Sequence, residues 1–360
     1  MSDFVKLSEL QMLRSIYKDP ERKSIPRIMR DLSVLLLHFR EIPRHYFTKY
    51  MFKTDVFNIR DYMPGKLTVG IVPFFNDKRL KEVLDNKLYF DLFFRQFDIN
   101  LPRIVLYNHN RLFISGNSTW EINNIEGFCD LLDEIFRQRV TADSLFIKKT
   151  YSGSKGEGVF KLFRDQVSAD SPVLNEIYRT VIKSEFIFQE TIEQHPQLNR
   201  ISSSSLNTIR IDTFIENTGN VSVISAYLRM SIRESLVDNV SSGGCMVGIN
   251  LEKGTLKRVG YSIFKYHGSG TYSRHPVSGI SFEGFPIPCI REVIELVSRT
   301  AALMPGLRLV GWDVAIGKTG PVLIEGNSDY IISGSDLTYG GYMANPVIKN
   351  AVKEMHTSLG

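Results

Sequence analysis

Near the C-terminal end, Gly311-Trp312-Asp313-Val314-Ala315-Ile316 and Pro321-Val322-Leu323-Ile324-Glu325-Gly326-Asn327 flank a turn at Lys318-Thr319-Gly320. Two apolar runs around a Gly-containing turn predict a β-hairpin. This hairpin carries polar side chains where a sheet tolerates few. Asp313 stands between apolar neighbours. Glu325 and Asn327, two apart on a strand, share a face, and hairpin pairing can bring Asp313 beside them. Buried carboxylates need partners. Two carboxylates and an amide oxygen are the hard ligands that Mg²⁺ prefers, above all when phosphates complete the shell. The plainer reading is a hairpin whose acids sit at exposed strand ends.

A second stretch points toward phosphate. Leu145-Phe146-Ile147-Lys148-Lys149 predicts a strand, and Val159 to Phe163 predicts its partner. Between them, Gly153, Ser154, Gly156 and Gly158 belong to a glycine- and serine-rich loop. Backbone N–H groups of such a loop can close over phosphate oxygens, with Lys149 as a point charge at the strand end. The loop lacks the Gly-Lys-Ser/Thr ending and following helix of a Walker A motif. A strand follows it, which also excludes the dinucleotide fingerprint. Taken alone, it could be an ordinary turn.

These motifs, in this order, resemble the ATP-grasp superfamily. They are most similar to the sugar-transfer-associated ATP-grasp family linked to polysaccharide biosynthesis, and the resemblance runs from about Leu84 to Asn327. It implies an α+β (α/β) fold with two α+β lobes around a nucleotide cleft, preceded by a basic helical N-terminal region. It also implies ATP and Mg²⁺ as cofactors. Asp85-Asn86-Lys87-Leu88 resembles the segment whose Lys contacts phosphates, which implies Lys87. Lys149 and the Gly153–Gly158 loop match the second phosphate Lys and a mobile lid. Phe186 to Ile192 resembles the adenine hinge, implying Gln189, Glu190 and Ile192. Asn207-Thr208-Ile209-Arg210 resembles the strand carrying a phosphate-side Arg. Asp313, Glu325 and Asn327 match the Mg²⁺ ligands. Arg210 and Arg229 are the candidate catalytic groups, and Asn239, Gly243, Gly244 and His275 are candidate substrate contacts. Glu193 and Gln197 are alternatives for the ribose.

Each assignment has a plainer counterpart. Lys87 could be a solvated first-turn residue and Glu190 an exposed strand end. His275, before a proline, could be an ordinary surface histidine. Asp212 and Glu216 read as the outer face of their strand. Arg210, between Ile209 and Ile211, needs an anion from a carboxylate or a phosphate.

The organisation follows from periodicity. Residues 1–80 read as a helical, basic region ending in a strand at Leu67–Val72. Residues 81–186 form a first lobe with the Gly-rich loop, and 187–360 a second lobe with the metal site. Single helices are expected at about 79–96, 124–137, 172–183, 288–302 and 346–357. Hairpins are expected over 208–229 and 245–263. Between residues 21 and 53, eight Arg and Lys alternate with Phe and Tyr. Such interleaving can track a nucleic acid, an anionic membrane or an anionic saccharide; the favoured reading is an amphipathic domain whose cations are solvated or paired. No run is long and apolar enough to span a bilayer. No signal-peptide pattern opens the chain, and three widely spaced cysteines suit a reducing compartment, so a cytoplasmic protein is expected.

The resemblance implies an ATP-dependent carboxylate–amine ligase working through an acylphosphate. Its partners would be a small carboxylate and a small amine, one of them sugar-linked, with no nucleic acid. The alternatives are a kinase-like phosphotransferase acting on a hydroxyl, and a non-catalytic polysaccharide- or anion-binding module.

Overall fold

The computed structural model describes residues 7–151, 158–232 and 244–359. The chain divides into two compact units. The larger comprises Met1–Lys81, Gln194–Pro321 and Gly326–Gly360, the smaller Glu82–Glu193 and Val322–Glu325. The segment 1–80, expected as a region of its own, is therefore part of the larger unit. The expected lobe boundary at 186 lies instead after Glu193.

The smaller unit is built on an antiparallel sheet of β1 (Ile104–His109), β2 (Leu112–Ser115), β3 (Ser118–Glu121), β4 (Ser144–Lys149), β5 (Val159–Phe163) and β6 (Glu185–Glu190), in the order β3-β2-β1-β6-β4-β5. Two amphipathic helices supply the rest of its core. In Ile125–Gln138, the Asn124 side chain caps the helix by accepting from Gly127 N at 2.9 Å. Phe128, Leu131, Leu132, Ile135 and Phe136 then bury one face at helical spacing. Leu174, Ile177 and Val181 do the same in Pro172–Val181. They share one cluster with Leu145, Ile147, Phe186 and Phe188. Each such side chain contributes about 1.5–3 kcal/mol of burial. The single helix expected over 79–96 is two, Lys81–Asp85 and Lys87–Arg95. Asn86 breaks it, because its side chain accepts from Leu88 N and Tyr89 N and starts a new helix.

The larger unit carries β7 (Thr208–Ile215), β8 (Val221–Ser231), β9 (Gly244–Asn250), β10 (Thr255–Tyr261), β11 (Thr271–Tyr272), β12 (Leu309–Gly317) and β13 (Gly320–Asn327), in the order β11-β10-β9-β8-β7-β12-β13. Every residue of β7 and β12 is buried, so both faces of the sheet are covered there. Helix Ile290–Ala302 packs on β7, β8 and β12, and helix Gly65–Phe75 on β12. That last helix corrects the expected strand at 67–72. The β-branched run Thr68-Val69-Gly70-Ile71-Val72 suggested a strand, but Thr68, Ile71, Val72 and Phe75 are buried at positions i, i+3, i+4 and i+7. Tertiary packing has overridden propensity.

Much of the basic–aromatic stretch turns inward. Tyr46, Tyr50 and Phe52 join a core with Ile28, Leu35, Tyr227 and Phe264. The buried lysines are paired: Lys23 with Asp31 at 2.6 Å, Lys53 with Asp19 at 2.7 Å, and Lys49 with Asp336. The paired part of the favoured reading holds for these three. No described helix is long and apolar enough to cross a membrane. Cys129, Cys245 and Cys289 are free thiols.

One buried group gives a pH prediction. Burial, and then the Lys49 charge, lower His45 from its ordinary 6.5 to about 4. Between those values the unfolded chain binds the proton first. The neutral-His contribution is therefore complete above pH 6.5 and is lost as pH falls toward 4. By linkage this amounts to roughly 3 kcal/mol. Urea melts between pH 7 and 4 should show the loss, and His45→Gln should flatten that part of the profile. A profile equally steep in the variant would refute it.

Candidate functional site

Strand register assembles a charged cluster in the larger unit. Pairing of β12 with β7 sets Asp313 opposite Arg210, and pairing of β7 with β8 sets Thr208 opposite Arg229. Arg210 grips Asp313 as a fork: Nε donates to Oδ1, and Nη2 to Oδ2 at 3.1 Å. Arg229 Nη2 donates to the same Oδ2 at 2.7 Å, and also to Thr208 Oγ1 at 2.7 Å. Arg210 lies over the Tyr330 ring, 5.4 Å from its centroid. Burial opposes the Arg210 charge, but Asp313 outweighs it and holds the guanidinium well above its ordinary value. The anion that Arg210 requires is thus a carboxylate of this chain.

Asp212 is a correction. Its strand is buried on both faces, so no outer face exists for it. Strand alternation puts it on the Arg210 face. Its Oδ2 accepts from Ser225 at 3.0 Å, from Tyr342 at 2.8 Å and from Ser335. Burial raises its pKa despite those donors. The signal was present in Arg210-Ile211-Asp212, two polar residues with strand spacing in an apolar run. Gly311 makes room for the cluster. A Cβ there would meet Asp212 Oδ1 and Tyr330 Cζ at 3.1 Å and Arg210 Cδ at 3.2 Å.

Asn327 donates its Nδ2 to Gly311 O at 3.2 Å, which anchors the amide by its nitrogen. The Asp313 carboxylate and the Asn327 amide oxygen are hard donors of the kind that suit Mg²⁺. Both Asp313 oxygens accept guanidinium hydrogens, so a dication there fits only together with anions such as phosphate. Among the described residues, no group of three His, Cys, Asp or Glu side chains is arranged to hold a metal.

In the smaller unit, Lys87 and Glu325 come close, although far apart in sequence. Burial lowers the Lys87 pKa, while Glu325 and then Asp85 counter it. Lys87 is half-buried rather than fully solvated. Lys87 N donates to Thr150 O at 2.9 Å, and Asn86 bridges Tyr151, so this helix start abuts the end of β4, where Lys149 is exposed. Gly158, at φ +77°, accepts at its carbonyl from Lys149 N at 3.3 Å. Gly153, Ser154 and Gly156 lie outside the described residues, as do Asn239 and Gly243.

The remaining candidates are placed as follows. Gln189 is buried on β6 opposite Phe146. Glu190, read as a possible exposed end, accepts from Thr141 N at 2.9 Å and faces Arg103 at 3.7 Å. Ile192 is half-buried just beyond β6. Gln197 donates to Pro286 O. Gly244 opens β9 opposite Ser231. His275 is buried and braces a turn: its Nε2 pairs with Ser231 O at 2.9 Å, and its Nδ1 accepts from Val277 N and Ser278 N. Neither ring nitrogen is left for a substrate.

A family profile described as sugar-transfer associated ATP-grasp matches residues 69–350. Among solved structures, the chain is similar to D-alanyl-alanine synthetase A from Vibrio cholerae O1 biovar eltor, with 13% identity, 76% of this chain, 65% of that chain and a TM-score of 0.40. It is also similar to an N5-carboxyaminoimidazole ribonucleotide synthetase in its ADP complex (10%, 76% and 55%, TM-score 0.42). A third is D-alanine–D-alanine ligase from Bacillus anthracis (13%, 79% and 72%, TM-score 0.39). The chain spans 65% and 55% of the length of the first two. No curated protein matches it.

Proposed function

The chain belongs to the sugar-transfer associated ATP-grasp family, whose profile covers residues 69–350, and from that premise we propose that it is an ADP-forming carboxylate–amine ligase. What supports this most is the Arg210–Asp313–Arg229 cluster. A buried ion triad is expensive, and apolar residues of similar size would often serve the fold as well. Charge kept at that cost, in residues picked out by separate motifs, marks chemistry.

The reaction has two steps. A substrate carboxylate oxygen attacks the γ-phosphorus of ATP, and ADP leaves. An amine then attacks the acyl carbon, phosphate leaves and the amine loses a proton. Phosphoryl transfer needs its spread charge neutralised and its reactants aligned. Arg210 and Arg229 would hold the acid and then the acylphosphate by forked hydrogen bonds. Lys87 and Lys149 would offset phosphate charge. Asp313, Glu325 and Asn327 would hold Mg²⁺, which supplies charge neutralisation when bound. Gln189, Glu190 and Ile192 would flank adenine, and the Gly153–Gly158 segment would exclude water. The family context suggests that one substrate is a sugar acid or amino sugar and that the enzyme works in the cytoplasm.

The test is ADP and phosphate release with acids and amines supplied together. Equal amounts of ADP and free phosphate, dependent on both substrates, are expected, and hydroxylamine should trap the acylphosphate as a hydroxamate. AMP in place of ADP would overturn the mechanism. Phosphate retained on the product would make the protein a hydroxyl phosphotransferase.

A further inference from the structure

The two N-terminal helices lie outside the 69–350 match, and the ligase reading does not use them. In helix Glu9–Lys18, Ile16 faces the core. Leu10, Leu13 and Tyr17, three and four residues apart, form a second, outward stripe that is more than half exposed. Arg14 and Lys18 border it, both exposed. Helix Ile25–Phe39 repeats the arrangement. Ile28 and Leu35 are buried, whereas Ile25, Met29 and Leu36 share an outward face and Leu37 beside them is 79% exposed. Arg30 and Arg40 are exposed there too.

The charge balance of residues 7–44 is one-sided. The acids of residues 7–44 are largely spent inward: Asp19 on Lys53, Asp31 on Lys23, and Glu41 on Gly65 N. Arg14, Lys18, Arg30, Arg40 and Arg44 remain exposed, against the exposed acids Glu9 and Glu21, and Glu21 pairs with Lys53 at 3.1 Å. Two further cations shield exposed rings: Arg22 over Tyr17 at 5.2 Å and Arg27 over Phe57 at 5.0 Å.

We propose that these two helices dock the protein on an anionic lipid surface. Apolar stripes bordered by Arg and Lys are the composition of interfacial helices, in which the stripe enters the acyl boundary and the cations meet anionic headgroups. A nucleic acid matches the cations but leaves bare leucines and methionine unused. The docking is independent of the ligase reading.

The experiment is flotation of the full chain with vesicles of phosphatidylcholine, with and without phosphatidylglycerol, at low and high salt. Flotation is expected only with phosphatidylglycerol and should weaken with salt. The polar variant L13Q/M29Q/L36Q and the charge variant R14E/R30E should each lower the bound fraction at least about ten-fold, with thermal midpoints unchanged because all five positions are exposed. The docking is refuted by no flotation, by equal binding to pure phosphatidylcholine, or by variants that float like the parent. It is also refuted if the polar variant converts a dimer to a monomer, or if an RNA oligomer binds more tightly than vesicles and the polar variant does not alter that binding.

Discussion

Asp313→Ala is expected to remove ADP formation, by at least about a hundred-fold, and to destabilise the larger unit by about 3–5 kcal/mol. Both effects come from one carboxylate. It holds Arg210 in a fork and Arg229 at 2.7 Å, so its loss leaves guanidiniums in a buried sheet without that counter-charge. The two roles can be separated. Asp313→Asn keeps shape and part of the hydrogen bonding, and should recover some stability but little activity. Arg210→Met combined with Asp313→Leu removes opposite charges together and should recover most of the stability with no ADP formed. Thermal midpoints and ADP release on the three variants decide the matter. Full turnover by any of them would sink the assigned role.

The second large effect is expected at Asp336. This fully buried carboxylate accepts from the Lys49 ammonium, from Tyr342 N at 2.6 Å and from Met63 N at 3.1 Å. Lys49 also donates to Met63 O at 2.8 Å and Thr68 Oγ1 at 3.1 Å. Asp336→Ala strands a buried ammonium and two amides, at about 3–5 kcal/mol. Lys49→Met should cost less, because a carboxyl can neutralise by taking a proton, and burial already raises the Asp336 pKa. A raised folded pKa means that the folded form binds more protons. Lys49→Met should therefore lose stability as pH rises above the ordinary carboxylate range, and compare best with the parent at acid pH. Equal, pH-independent losses in the two variants would count against this account.

The sequence was most readable where local pattern and tertiary role agree. The late hairpin, the strands around Arg210 and the capped helix after Asn124 all combine an apolar period with a turn or cap residue. Gly65–Phe75 is not legible from local pattern, because its β-branched residues favour a strand while its neighbours impose a helix. β1 and β3 were not anticipated; β3 is four residues, none buried, and presents no apolar period. Alternation alone places Asp212 on an outer face, and only the burial of β7 on both faces removes that face. The pairing of Arg210 with Asp313 depends on which strands are neighbours, and residues 210 and 313 alone do not reveal that β7 lies beside β12.

The larger unit is assembled from both ends of the chain, with residues 82–193 interposed. Tyr46, Tyr50 and Phe52 share a cluster with nearby Ile28 and Leu35 and with distant Tyr227, Met246 and Leu337, so part of their apolar surface gains its partners only after the interposed segment has been made. At ribosomal speeds of about 5–20 residues per second, the early helices wait for tens of seconds. The interposed segment, by contrast, has almost all of its chain in hand and can fold first. Newly made chains are thus most exposed to aggregation, and most in need of chaperones, before residues 227–337 emerge.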